Sequence, residues 1–168
     1  MTTQQQRQRF RLPDEDSQIR LGRYLGEALR WQGHIWLEGD LGAGKTTLTR
    51  GILRGAGHEG AVKSPTYTLL EPYDVNGQRI HHFDLYRLGD PEELAFMGAR
   101  ELFEEGSLNI IEWPSMGVGE LPTPDVIVTL TLDLPGRIAD VAAHSVSGEQ
   151  ALARLRAAIT DIEIEVLP

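Results

Sequence analysis

Gly39-Asp40-Leu41-Gly42-Ala43-Gly44-Lys45-Thr46 satisfies the pattern G-x-x-x-x-G-K-[ST] in full. In a chain with 18 glycines, composition alone gives such a match with a probability on the order of one per cent. The flanks narrow it further. Ile35-Trp36-Leu37 reads as a buried strand entering the turn, and Lys45 to Arg54 reads as a helix leaving it, closed by Gly55 and Gly57. A pair of terminal phosphates needs many donors at close range. Glycines let backbone N–H groups turn inward without a Cβ in the way, and the following helix adds the positive end of its dipole. Asp40, Leu41, Gly42, Ala43 and Gly44 therefore form a candidate anion cradle. Lys45 supplies a mobile charge to the β- and γ-phosphates, the Thr46 hydroxyl can ligate magnesium, and Thr47 can reach the α-phosphate.

Around this turn the signals alternate between strand and helix. Arg9 to Leu12 suits a short strand ended by Pro13, and Asp14, Asp16 and Ser17 offer capping oxygens to a helix with Ile19, Leu21, Leu25 and Leu29 on its apolar face. Thr68 to Asp74 and Arg79 to Asp84 flank Asn76-Gly77, the dipeptide that a type I′ hairpin turn prefers. One helical patch is expected from Pro91 to about Phe103, with Phe96 and Met97 in its core. Leu108 to Ile111 reads as a buried strand, Val126 to Leu132 and Arg137 to His144 as an antiparallel pair, and Glu149 to Ile159 as a last helix. The fold class expected is α/β, a single P-loop NTPase-type domain over residues 9–160 with a mixed sheet flanked by helices. Residues 1–8 read as a disordered lead-in and 161–168 as a tail.

A triphosphate site needs acids at neighbouring strand ends to hold its metal. Glu112 ends the apolar run Leu108-Asn109-Ile110-Ile111, and Asp84 ends Ile80-His81-His82-Phe83. With Lys45 they are the candidates for catalysis, and with Thr46 for holding Mg2+. One acid serves as metal ligand and the other orders a water; the residues leave open which. Ser64-Pro65-Thr66-Tyr67-Thr68 places hydroxyls between the cradle's helix and the hairpin, where a switch-like loop would sense a γ-phosphate. The plainer reading of that segment is a proline-initiated turn into a strand. His81 and His82 face opposite sides of a strand and are expected to be structural. Trp31 and Trp36 read as core or rim aromatics; Trp113, next to Glu112, is also a candidate for the edge of the site.

Composition sets bounds on this reading. The 168 residues suffice for one domain with a core, and 40% apolar with 24% charged residues is ordinary for a globular chain. No apolar run approaches membrane-span length, and the Gln- and Arg-rich start is not a secretory signal. The chain has no cysteine, which excludes a disulfide framework, a thiolate zinc site and a cysteine nucleophile, and fits a reducing, cytoplasmic location. A net charge of −9 argues against a surface that itself grips DNA or RNA.

Taken together, Gly39 to Thr47, Ser64-Pro65-Thr66-Tyr67-Thr68-Leu69, His82-Phe83-Asp84-Leu85-Tyr86-Arg87-Leu88, Asp90-Pro91-Glu92-Glu93-Leu94 and Ile111-Glu112-Trp113-Pro114 resemble the bacterial TsaE family. The resemblance runs from about Leu12 to about Leu155 with the motifs in the family's order. It implies a small, slow ATPase of tRNA threonylcarbamoyladenosine biosynthesis, working with a TsaB–TsaD complex. In that pair TsaD transfers the threonylcarbamoyl group to the adenosine beside the anticodon, and ATP turnover by TsaE resets the complex. By position the resemblance assigns Lys45, Thr46 and Thr47 to phosphates and metal, and Glu112 and Asp84 to magnesium and hydrolysis. It assigns Ser64, Thr66 and Thr68 to the switch-like loop and Trp113 to the site edge. Arg137, in Gly136-Arg137, matches a contact to the base, and Glu15 another nucleotide contact. With tRNA held by the partners, an acidic surface on this chain is no obstacle.

Three other readings compete. A small-molecule P-loop kinase usually needs an arginine-rich lid, whereas the stretch after Leu88 carries Asp90, Glu92, Glu93, Glu101, Glu104 and Glu105 against Arg100. A GTPase would carry an Asn-Lys-x-Asp guanine-reading motif, and none occurs. A binding module without turnover is disfavoured by Glu112 and Asp84.

Overall fold

A computed structural model describes residues 6–168. In chain order its elements are β1 (Arg7–Leu12), α1 (Glu15–Ala28), β2 (Gly33–Glu38), α2 (Lys45–Ala56), β3 (Leu70–Val75) and β4 (Gln78–Asp84). There follow α3 (Glu92–Phe96), α4 (Ala99–Glu104), β5 (Leu108–Glu112), a 3₁₀ turn at Pro114–Gly117, β6 (Val126–Asp133), β7 (Gly136–Ala143), α5 (Val146–Ala158) and β8 (Glu165–Leu167). The strands form one sheet of eight in the order β3-β4-β5-β2-β6-β7-β1-β8. The inner strands β4, β5, β2 and β6 run parallel, and the flanking pairs are antiparallel. The α/β class and mixed sheet match the expectation.

The two faces of the sheet can be followed along β5, because successive strand residues point to opposite sides. Ile110 belongs to the larger core with Leu21, Leu25, Ile35, Leu37, Leu48, Ile52 and Ile80, under α1 and α2. Ile111 belongs to a second cluster with Phe83, Leu85, Leu94 and Phe103, under α3 and α4. By the same alternation Asp84 and Glu112 share the α2 side with Ile80 and Ile110. Asp14 caps α1: its Oδ1 accepts from the Ser17 N–H at 2.8 Å, and Ser17 Oγ accepts in turn from the Asp14 N–H at 3.2 Å.

The helices α1 and α2 meet backbone to backbone. A Cβ at Gly51 would lie 2.2 Å from Ile19 O, and one at Gly22 would lie 2.4 Å from Leu48 O. This contact fixes the axis of α2, and with it the position of the glycine-rich turn at its start.

Several expectations are corrected. The patch from Pro91 to Phe103 is two short helices, parted at Gly98, whose φ of 78° breaks the α run. A one-turn α3 buries only Leu94, so Phe96 is 85% exposed and Met97 36%, outside the core. The first hairpin strand starts at Leu70 rather than Thr68, because residues 66–69 turn and Leu69 adopts a φ of 66°. Most of the expected lead-in, residues 1–5, lies outside the described residues, while Arg7 and Gln8 already belong to β1. The expected tail contributes β8, which pairs with β1 through Leu167 and Glu165 and so occupies that edge of the sheet. At the opposite edge β3 carries Pro72. Among the described residues, no helix is long and apolar enough to cross a membrane.

Replacing Gly51 by alanine gains about 1 kcal/mol of helix propensity, against an overpacking cost of about 1–3 kcal/mol or more where the neighbour is backbone. The variant is expected to melt about 2–6 °C lower than the parent. A thermal scan with an equal or higher Tm would contradict the close α1–α2 contact.

Candidate functional site

The site lies at the carboxyl ends of the parallel strands, where open α/β sheets place their ligands. β2 delivers the chain into the glycine-rich turn and α2 leads it away. Two of its glycines are required. Gly39 has a φ of 143°, and a Cβ there would sit 2.6 Å from Leu130 O; Gly44, with a φ of 104°, would press one to 2.3 Å from Gln18 Oε1. Gly44 is also the N-cap of α2 and offers no side chain to it. The first N–H groups of the helix are thus left for an anion.

Lys45 is 5% exposed and donates to Gly39 O at 2.6 Å, while its Nζ lies 3.7 Å above the ring of Trp113. Burial lowers its pKa from the ordinary value, and the charges of Glu112, Asp84 and Asp40 work against that shift by favouring the ammonium. The left-handed backbone of Trp113, with a φ of 58°, lets the indole turn back over Lys45 directly after the strand. Tyr86 packs against the indole with ring centroids 5.1 Å apart. The two tilted rings and the ammonium close one wall of the cleft.

Asp84 and Glu112 are register partners across the parallel pair β4–β5, and each is nearly sealed from solvent, at 4% and 3% exposed. Asp84 Oδ2 accepts from Thr66 Oγ1 at 3.0 Å and Ser64 Oγ at 3.3 Å, and its Oδ1 accepts from the Tyr86 N–H at 3.0 Å. Glu112 Oε2 lies 2.5 Å from His82 Nε2. The cleft these groups share has a volume of about 310 Å³ and is lined by Leu41, Gly42, Gly44, Lys45, Thr46, Thr47, Ser64, Thr66, Asp84, Tyr86, Glu112 and Trp113. Thr46, Asp84 and Glu112 offer hard oxygen donors of the kind magnesium takes when it arrives with phosphates.

Other candidates stand apart. Thr68 Oγ1 donates to Glu71 Oε1 at 3.2 Å, outside the cleft lining. Glu15, the first residue of α1, pairs with Arg50 at 3.0 Å on the surface. Asp40 faces an adjoining cavity that also touches Lys45 and Trp113. Ala43 is buried, and its carbonyl accepts from Arg137 Nε at 3.0 Å; Arg137 also donates to Gly42 O at 3.1 Å and Gly136 O at 2.8 Å. In this structure Arg137 braces the glycine-rich turn from behind. The residues alone gave Gln18 and Tyr86 no place in the site and His82 a structural one, whereas Tyr86 lines the cleft, Gln18 lies against Gly44 and His82 meets Glu112. The signal for His82 was available in the period-two spacing His82-x-Asp84, which puts both on one face of a strand.

The chain matches the family described as threonylcarbamoyl adenosine biosynthesis protein TsaE over residues 12–137. It is 54% identical over 125 residues to the tRNA threonylcarbamoyladenosine biosynthesis protein TsaE of Haemophilus influenzae, covering 71% of this chain and 78% of that one. The protein of the same description from Rickettsia felis is 36% identical over 137 residues, covering 80% and 79%. The crystal structure of Bacillus subtilis YdiB superposes with a TM-score of 0.78 over 93% of this chain and 98% of that one, at 22% identity, and so supports the fold.

Arg137→Ala removes a charged donor from two turn carbonyls, at a global cost expected to stay below about 3 kcal/mol. Amide hydrogen exchange at residues 42–45 should accelerate several-fold while the β-sheet core keeps its protection. Unchanged exchange in the turn would show that Arg137 does not brace it.

Proposed function

Because this chain belongs to the TsaE family, whose members are involved in tRNA threonylcarbamoyladenosine biosynthesis, we propose that it is the nucleotide-driven component of that modification, binding ATP with Mg2+ and hydrolysing it slowly. The observation that carries the reading is the convergence, in one cleft, of an uncapped helix start, a buried lysine and two adjacent strand-end carboxylates.

The turn from Asp40 to Gly44 receives the phosphates on its backbone N–H groups. Lys45 exchanges Gly39 O and the Trp113 ring for the β- and γ-oxygens. Thr46 Oγ1, Asp84 and Glu112 would hold the metal, and Thr47 would reach the α-phosphate. A magnesium ion held there would supply positive charge to offset the negative charge that develops on the phosphates during transfer. One of the two acids orients the attacking water. Ser64 and Thr66 lie on Asp84, so a change at that carboxylate moves the segment they belong to; this is the switch of the proposal. A nucleotide contact by Glu15 or Arg137 would require each to leave its present partners, Arg50 for the one and the carbonyls of Ala43 and Gly42 for the other.

The transfer of the threonylcarbamoyl group is assigned to the partner, a TsaB–TsaD-type complex in the cytoplasm. With 25 acidic residues against 16 basic ones, this chain leaves tRNA to that complex and meets it only indirectly.

Lys45→Ala is expected to weaken ATP by about 10- to 100-fold in calorimetry with millimolar magnesium, and to leave adenosine affinity within error. Equal losses for both ligands would remove the lysine from the phosphates. Capture of a TsaB–TsaD pair on the immobilised chain should depend on ATP and magnesium. Identical capture without nucleotide would argue against a nucleotide-timed role.

A further inference from the structure

The imidazole of His82 is fully buried and meets one polar group, Glu112 Oε2, at 2.5 Å from Nε2. Its other nitrogen, Nδ1, is buried with no hydrogen-bond partner. The neighbouring His81 contrasts with it: that ring is tied into a network of Asn109, Ser107 and Glu105 away from the cleft. On β4, Ile80 fills the same face one step below His82, and Ile80 is pure core. A valine or isoleucine at position 82 would continue that packing and leave no ring nitrogen unsatisfied. Packing alone gives no reason for an imidazole here.

Its register gives one. His82 is paired with Ile110, and Glu112 lies two residues further along β5, so the contact is a diagonal cross-strand pair. The Glu112 side chain is drawn back along the sheet by one oxygen while the residue still lines the cleft. Lys45, close enough for its ammonium to feel the charge of Glu112, would otherwise be the natural partner of that carboxylate.

We propose that His82 is a positioning residue for Glu112: its Nε2–H holds Oε2 against β4, keeps the carboxylate off Lys45 and leaves Oε1 to the cleft. This rests on the reading of Glu112 as a carboxylate of the hydrolytic site. The buried N–H···carboxylate arrangement is the kind of supporting contact whose loss typically costs about 10- to 100-fold in activity.

Two measurements test it. In the nucleotide-free protein, long-range ¹H–¹⁵N spectra should show His82 as the tautomer protonated at Nε2, and Glu112→Ala should shift that N–H upfield and speed its exchange. An unchanged His82 signal in Glu112→Ala would overturn the contact. In steady-state ATPase assays, His82→Leu should lower kcat by about 10- to 100-fold, towards the level of Glu112→Ala, with KM for ATP within about threefold. His82→Gln, whose amide nitrogen can occupy the place of Nε2, should recover kcat to within about fivefold of the parent. Wild-type kcat in His82→Leu would sink the proposal, as would a glutamine variant no better than leucine. Should the leucine variant fail to fold, His82→Asn takes its place: its amide is too short to reach, and equality of the two amides counts against the idea. A parent protein without any turnover would refute the functional reading instead, and the spectra alone would then decide on the anchor.

Discussion

The parallel register of β2, β5 and β4 brings three strand ends level. Leu37 lies across from Glu112, and Glu112 across from Asp84. Neighbouring strands in a sheet are about 4.8 Å apart, so the two carboxylates stand side by side, Glu112 one strand and Asp84 two strands away from the strand that enters the glycine-rich turn. Everything else about the site follows from that alignment. Two acids at this spacing repel each other unless cations and donors are present, and each has its own. Asp84 is held by Thr66, Ser64 and the Tyr86 N–H, Glu112 by His82, and Lys45 supplies the positive charge nearby.

The buried lysine shows how the site tolerates its own charge. An ammonium withdrawn from water is costly without compensation. Here a backbone carbonyl, the face of an indole and three carboxylates share the task. None of these contacts is beyond exchange, because Gly39 O and the Trp113 ring are neutral partners that an anion can replace. The left-handed Trp113 stores backbone strain of about 1–3 kcal/mol, a cost characteristic of functional positions.

Much of this was legible in the chain. The glycine-rich turn announces itself because only glycine tolerates the backbone angles and close approaches found at Gly39 and Gly44. Glu112 and Asp84 were legible because each ends a strand-like run. The remainder depended on tertiary pairing. That His82 reaches Glu112 follows from how β4 and β5 align, and local sequence does not encode register between strands joined by two helices. Arg137 has no motif around it; its hold on Ala43 and Gly42 exists only because β7 sits beyond β6 in the sheet. The split of α3 from α4 was missed because a glycine inside an apolar pattern is compatible with a continuous helix, and the φ of Gly98 decides otherwise.

The borders of the sheet have a bearing on how this molecule meets others. At one border Pro72 lacks the N–H that a docking strand would need, and at the other the edge strand is the three-residue β8, with Glu165 in it. Short, charged or proline-bearing borders discourage strand-to-strand recruitment. Association that extends the sheet is therefore unfavourable in either direction. Side-chain surfaces are what the molecule offers to a visitor, among them Leu41 in the cleft lining and Tyr67 next to Thr66, 66% and 81% exposed.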